Sequence, residues 1–244
     1  MKGMNNMIPV AEIFGPTIQG EGPNTGVKCI FVRVMGCDFH CEWCDSKFAW
    51  KKDENTKFYT DIDLATELLD KCDKTRTKHI ILTGGNPCLY NFEKVIDILQ
   101  DNNIEVDIET QGSIFPKWLN KLNLIVISPK APSSKQPDVF SKVLEFINEG
   151  PIPQVAIKIP IFNEDDLQFA RTYYSLVRDF QFKKPNLKLY INVGNTNTSE
   201  DGDISRRVLQ DYKTLIEQIC NSDMQNVYIM PQLHTLVWGN RQGV

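Results

Sequence analysis

The chain has 244 residues, enough to bury a full core as one domain or two small ones. Hydrophobic residues make up 41% and charged residues 24%, the balance of an ordinary soluble protein with no segment apolar enough to span a membrane. With 27 basic against 31 acidic residues the net charge is −4, and no basic run exceeds the pairs Lys51-Lys52 and Lys183-Lys184, which excludes the electrostatic footprint of a nucleic-acid binder.

In chain order, MKGMNNMIPV lacks the apolar stretch of a signal peptide, so the protein reads as cytoplasmic. Residues 1–7 read as a loose extension before a core that begins near Ile8. Short, β-branched apolar runs then recur at Cys29–Val34, His79–Leu82, Val106–Ile108, Leu124–Ile127, Val155–Ile159, Leu187–Val193 and Val227–Met230. Several are nearly continuous in hydrophobicity, as strands of a buried parallel sheet are. Helical patterns lie between them. Thr60, with Asp63 three residues on, opens a helix through Leu64, Leu68 and Leu69. Asn163, with Asp166 in the same relation, opens another through Leu167, Ala170, Tyr174 and Val177, and Phe92–Leu99 and Asp203–Cys220 are two more. The alternation predicts an α/β protein with a mostly parallel sheet in a single domain over 1–244. The stretches 137–153 and 196–203 carry no legible chemistry.

Polar and Gly-rich motifs follow the strands: GCDFHCEWC after the first run, TGGNP after the second, ETQGS after the third and SPKAPSS after the fourth. In parallel α/β folds the site lies where the carboxyl ends of the strands meet, so these four segments are expected on one rim. The first holds Cys37, Cys41 and Cys44 in C-x3-C-x2-C spacing. Seven cysteines in such a chain point to metal or redox use of some of them rather than to a disulfide framework. A structural zinc site wants a fourth Cys or His, usually in a second ligand pair, yet His40, His79 and His234 are isolated. Three local thiolates suit an iron–sulfur cluster with one iron left open to a small molecule, against zinc or coincidence as alternatives. Cys29, Cys72 and Cys220 read as small buried hydrophobes, while Cys88, just after GGNP, sits on the expected cluster rim, where a fourth-ligand role would contradict an open iron. Phe39, Trp43, Phe48 and Trp50 crowd the cysteines with little basic charge between them and read as a dry wall rather than a base-stacking platform.

The C-x3-C-x2-C triplet is the radical S-adenosylmethionine signature, and the resemblance narrows further. GPTIQGEGPNTG (15–26), FVRVMGCDFHCEWCDSKFAW (31–50), LTGGNPCL (82–89), ETQGS (109–113), ISPKAPSS (127–134) and PQLHTLVWGNRQGV (231–244) resemble the 7-carboxy-7-deazaguanine synthase family. That resemblance implies an abbreviated radical S-adenosylmethionine core, a partial (β/α)6-type barrel, with the cluster loop after the first strand. It implies a lyase that converts 6-carboxy-5,6,7,8-tetrahydropterin to 7-carboxy-7-deazaguanine with loss of ammonia, for queuosine-type biosynthesis. The radical is borne by the cofactor, so no side chain is assigned as catalytic. The implied cofactors are a [4Fe-4S] cluster, S-adenosyl-L-methionine and Mg2+. The implied partners are the pterin, a one-electron donor such as flavodoxin or ferredoxin, and a second copy in a homodimer.

Carried over by position, the resemblance gives Cys37, Cys41 and Cys44 the cluster, and Trp43, Cys44, Asp45, Gly85, Ser128, Pro129, Lys130, Asn192, Val193, Gly194 and Asn195 the S-adenosylmethionine contacts. Gly84-Gly85 would let the cofactor approach the backbone where a side chain would block it. Asn86 departs from the glutamate commoner at that position. Ile18, Gln19, Gly20, Arg33, Thr83 and Val244 match substrate positions, and a tag after Val244 is expected to harm activity. A pterin edge needs the paired donors and acceptors that Gln19 supplies, and a carboxylate suits a guanidinium. Arg33 also lies in the apolar run FVRV, where an unpaired charge is costly. Ser46 matches the Mg2+ position, although by local sequence alone it reads as a cap for the next element. Glu21, Glu109 and His234 are further polar candidates without an assigned role. An enzyme that activates a partner protein and a zinc-binding interaction module are the competing readings of the cysteines.

Overall fold

Each of the seven apolar runs forms a strand, because a parallel sheet covered on both faces rewards continuous hydrophobicity. The computed structural model describes residues 7–54, 56–149, 154–195 and 204–244, so residues 1–6 of the expected N-terminal extension lie outside the described residues. Strands β1 (Ile8–Ile18), β2 (Lys28–Val34), β3 (Lys57–Tyr59), β4 (His79–Gly84), β5 (Glu105–Thr110), β6 (Leu124–Ile127), β7 (Gln154–Ile161), β8 (Lys188–Val193) and β9 (Val227–Met230) form one open sheet. Its order is β3-β1-β2-β4-β5-β6-β7-β8-β9. β2 and β4 to β9 run parallel, while β1 is antiparallel to both β2 and β3. The cysteine loop therefore follows the first parallel strand, which is the second strand in the chain.

Helices α1 (Asp61–Thr75), α2 (Glu93–Asp101), α3 (Phe140–Glu149), α4 (Glu164–Phe180) and α5 (Ile204–Cys220) supply the crossovers, and α6 (Leu233–Trp238) follows β9. The connection from β5 to β6 carries only a 3-10 turn, Lys117–Lys121, which is where this partial barrel is abbreviated. Both expected caps are present: Thr60 accepts from the Asp63 N–H, and Asn163 from the Asp166 N–H. Asp203 lies outside the described residues, and α5 begins at Ile204. No helix among the described residues is long and apolar enough to cross a membrane.

Strand periodicity then divides the interior. One set of side chains, including Ile30, Val32, Ile80, Leu82, Val106, Ile108, Ile125, Ile127, Ile157 and Ile191, joins Leu64, Leu68, Ile96, Leu99, Val143, Leu167 and Leu215 of the helices in the main core. The alternate set forms smaller clusters, with Cys29, Phe31 and Ile81 on one side and Leu124, Val126, Ala156 and Tyr190 on the other. Two residues further along most strands that second face turns polar: Arg33, Thr83, Ser128, Lys158 and Asn192 follow Phe31, Ile81, Val126, Ala156 and Tyr190, while on β5 Glu109 follows Asp107, which is already polar. Cys29 and Cys72 are buried as expected, but Cys220, at the last position of α5, is exposed and is not a core residue.

Asp166 couples α4 to the rim. Its carboxylate is fully buried and accepts from the N–H groups of Ser133 and Phe162, both at 3.0 Å. Asp166→Ala leaves two part-buried donors unmet and is expected to lower stability by about 2 kcal/mol in urea unfolding. Asp165→Ala, at an exposed position in the same turn, is the control and is expected to shift the midpoint far less.

Candidate functional site

The polar ends of the parallel strands open into one cavity of about 300 Å³. Arg33, Thr83, Glu109, Ser128, Lys158 and Asn192 all line it, and loops complete it from three directions. The cysteine loop brings Cys37, Cys41 and Cys44; the end of β1 and the β1–β2 connection bring Ile18, Gln19, Gly20 and Glu21; and the chain after β9 brings Gln232, His234 and residues 239–244. Trp43, Asp45, Ser46, Gly85, Lys130 and Asn195 line it as well. Of the residues assigned from sequence, Pro129, Val193 and Gly194 do not reach its surface.

The cysteine loop closes on itself through Gly36 N–H to the Ala49 carbonyl (2.8 Å) and Cys37 N–H to the Trp50 carbonyl (3.3 Å). It also packs on the β4 end. The Gly36 carbonyl accepts from Asn86 N–H at 2.8 Å, and a Cβ on Gly85 would collide with that same carbonyl. The glycine is thus required by the protein's own backbone, before any ligand is considered. Asn86, fully buried, donates to Asp38 Oδ1 (2.8 Å) and Ser113 Oγ (3.2 Å) and accepts from Thr110 Oγ1 (3.1 Å) and Cys88 N–H (3.2 Å). Cys88 packs behind this network, its thiol on Thr110 and pushed up to about 12 by burial.

Burial raises the Cys37 thiol to about 11 against the lowering effect of the Phe39 N–H, and burial also raises Cys41 and Cys44. Backbone N–H groups of Phe39 and Ser46 point at the Cys37 and Cys44 sulfurs, both at 3.4 Å, and the Lys130 charge opposes the rise at all three. Among the described residues no three His, Cys, Asp or Glu side chains are gathered as the ligands of one metal ion. The four aromatic residues of the loop all line the cavity. Trp43 stacks on Phe162 at 4.6 Å and donates its indole N–H to Ser133 Oγ at 2.9 Å.

Arg33 bridges to Glu12 Oε1 through Nε and to Ser46 Oγ through Nη1, each at 2.8 Å, with its guanidinium over the rings of Phe14 and Phe48. Ser46 Oγ in turn donates to Asp45 Oδ1 at 2.8 Å. It makes no side-chain cap bond to the following 3-10 turn, so the local capping reading is not what the hydroxyl does. Opposite lies an ionic cluster. Lys158 Nζ donates to Glu21 Oε2 and to Glu109 Oε1 (2.9 Å), Gln19 and Thr83 donate to Glu109, and Asn192 and Gln232 donate to Glu21. Burial pushes the Glu21 carboxyl up, but Lys158, His234 and Gln232 outweigh it and hold the group at about 2. His234 packs against Gly20, where a Cβ would meet its ring.

Lys158, Glu12 and Gln232 were not singled out from sequence. Lys158 had a signal, a single cation inside the apolar run VAIKIPI. Glu12 had none, since its strand was not recognised.

Residues 18–119 match the family described as a 4Fe-4S single cluster domain, a span that contains all three loop cysteines. A cluster-binding segment on an open, mostly parallel sheet is the arrangement of the radical S-adenosylmethionine enzymes. The 7-carboxy-7-deazaguanine synthase of Bacillus subtilis is 39% identical over 97% of this chain and 98% of its own length. That of Bacillus cereus is 37% identical over 97% and 99%. The crystal structure of QueE from Escherichia coli superposes with a TM-score of 0.65 at 26% identity, covering 93% of this chain and 95% of that one. The chain belongs to the 7-carboxy-7-deazaguanine synthase family, whose place is in deazapurine biosynthesis.

A carboxyl held below its ordinary value contributes stability that is complete above that value and is lost as pH falls toward the folded one. For Glu21 the window runs from about 4.5 down to about 2. Glu21→Gln is expected to be less stable than wild type at neutral pH, with the gap in thermal midpoint narrowing as pH drops from 5 to 3. A gap independent of pH would show that Lys158 does not depress this group.

Proposed function

We propose that this protein converts 6-carboxy-5,6,7,8-tetrahydropterin to 7-carboxy-7-deazaguanine, releasing ammonia. The observation that carries the reading is the convergence, in one cavity, of three loop thiols with Gln19, Arg33 and Thr83. Family membership supports the same substrate. Cys37, Cys41 and Cys44 suit a [4Fe-4S] cluster: three sulfurs share the cavity, and N–H groups already point at two of them, as outer-shell donors to cluster thiolates do. When bound, the cluster and S-adenosylmethionine supply the one-electron chemistry that starts hydrogen abstraction from the substrate.

The chain's own work is positioning and exclusion of water. Trp43, Cys44, Asp45, Gly85, Ser128, Lys130, Asn192 and Asn195 are assigned to S-adenosylmethionine, with Pro129, Val193 and Gly194 lying between them in the chain. Lys130 Nζ rests on Ser128 Oγ at 3.1 Å and over the Trp43 ring, neutral neighbours that leave its charge to an anionic ligand. Ile18, Gln19, Gly20, Thr83 and Val244 are assigned to the pterin and Arg33 to its carboxylate. The adjacent oxygens of Ser46 and Asp45 suit a hard cation such as Mg2+, once Arg33 turns from the Ser46 hydroxyl to the substrate. Family likeness also supports an electron donor of flavodoxin or ferredoxin type and a homodimer.

The test is an anaerobic product assay with reconstituted protein, S-adenosylmethionine, Mg2+, a reductant and the tetrahydropterin. A product with the mass of 7-carboxy-7-deazaguanine is expected, and Cys41→Ala is expected to abolish it. Accumulation of 5′-deoxyadenosine and methionine alone would keep the radical chemistry and reject the substrate. Stimulation by Mg2+ is expected in wild type and not in Ser46→Ala; equal stimulation of both would remove Ser46 from the metal's shell.

A further inference from the structure

Lys158 sits in the middle of β7 with its side chain 7% exposed, on the inward face between apolar neighbours. A cation placed there is costly unless it is paired, and its two partners come from distant parts of the chain: Glu21 from the β1–β2 connection and Glu109 from the end of β5. A structural ion pair would need one carboxylate. Here there are two, both on the cavity surface, and each has further donors that fix its plane. Glu109 Oε1 takes Gln19 Nε2 (3.3 Å) as well as Lys158, and its Oε2 takes Thr83 Oγ1 (3.1 Å). Glu21 Oε1 takes Asn192 Nδ2 at 3.2 Å. Gln19 is oriented in the same network, since its amide oxygen accepts the Glu21 N–H at 3.1 Å.

Two carboxylates sharing a buried site repel, and without a cation between them one tends to hold a proton. A protonated carboxyl donates where an ionised one accepts. The distinction matters for a pterin, whose 2-amino-4-oxo ring presents N–H donors from its amino group and ring nitrogen. We propose that Lys158 is a positioning residue that keeps Glu21 and Glu109 as a fixed pair of acceptors for this donor edge, and so selects a 2-amino-4-oxo ring over a 2,4-dioxo one. The inference rests on the pterin reading above. The other charged or titratable groups near the pair are His234 at the start of α6, Cys29 on β2, and Asp107, which is itself paired with His79 at 2.6 Å. None of them lies between the two carboxylates as Lys158 does.

The experiment compares equilibrium binding of 6-carboxypterin and 6-carboxylumazine, from pH 6 to 8.5, to cluster-loaded protein with S-adenosylmethionine. Wild type, Lys158→Met and Lys158→Arg are used. Wild type is expected to prefer the pterin by at least about tenfold at every pH, as a site built around hydrogen-bond donors of its ligand does. Lys158→Met is expected to lose that preference at pH 6 and regain part of it as pH rises and the carboxyls ionise. Lys158→Arg, which keeps the charge, is expected to restore the flat profile. A wild-type preference and flat profile in Lys158→Met would overturn the proposal, as would an equal, pH-independent loss in both variants. If Lys158→Met does not fold, the charge-balanced pair Lys158→Met with Glu21→Gln replaces it, and retention of the wild-type preference there overturns the proposal. Wild type binding neither compound would instead sink the pterin reading itself, a result distinct from any behaviour of the variants.

Discussion

A parallel strand in this sheet has two faces to satisfy, and the helices cover only one of them. The other face curls inward, and what fills it decides the site. Small and apolar residues occupy the lower layer, but Asp107 and His79 stand among them as a buried pair at 2.6 Å. The space is closed by the connection between β1 and β2. Asn24 donates to Asp107 Oδ2 at 2.7 Å, Thr25 Oγ1 bonds back to the Gly22 carbonyl at 2.8 Å, and a Cβ on Gly22, whose φ is +70°, would meet the Val126 and Lys158 side chains at 4.0 Å. The loop is a plug. Its fixed depth is what brings Gln19, Gly20 and Glu21 level with the strand ends, so the polar layer above the plug is a consequence of how the barrel interior is filled.

The parallel strands and the four rim motifs were legible because each leaves a strong local mark: a continuous apolar run, or glycines and cysteines just beyond it. Strand β1 left none. Its sequence, IPVAEIFGPTI, carries a Gly-Pro and a glutamate, and its pairing with β2 shifts register twice, so neither alternation nor continuity survives in it. Helix α3 falls in a stretch that carried no chemical signal, although Val143 and Ile147 bury its inward face. The site shows the same divide. Residues that belong to a motif were singled out, Glu21 and Glu109 among them but without a role; Lys158, which lies in no motif and whose partners are far along the chain, was not. Lys158 and Glu21 are separated by 137 positions, and nothing local to either announces the other.

The cysteine loop illustrates why a motif departure can be harmless. Asn86 replaces a longer acidic side chain, yet its amide makes four hydrogen bonds that tie Asp38 of the loop to Thr110, Ser113 and Cys88 on neighbouring segments. Gln111 adds a second anchor to Asp38 at 2.6 Å. An amide, with donors and acceptor both, satisfies partners of both kinds, whereas a carboxylate would face the Asp38 carboxylate directly. On its other side the loop leans on the α4 junction through Trp43, Ser133 and Phe162. The thiols are therefore held by packing from two directions.

Three of the cavity's cations, Lys158, Arg33 and Lys130, differ in how far the chain has already satisfied them, and this ordering bears on the proposed roles. Lys158 is enclosed by two carboxylates and is least available to a ligand. Arg33 has one carboxylate partner, Glu12, and is partly exposed at 18% of its side chain, so a second carboxylate can reach it by exchange. Lys130 meets a hydroxyl and an aromatic face. An anionic ligand arriving in this cavity gains most at Lys130, something at Arg33, and little at Lys158. That gradient separates groups suited to direct contact with the carboxylates of cofactor and substrate from one suited to holding other residues in place, and it follows from pairing and burial rather than from charge alone.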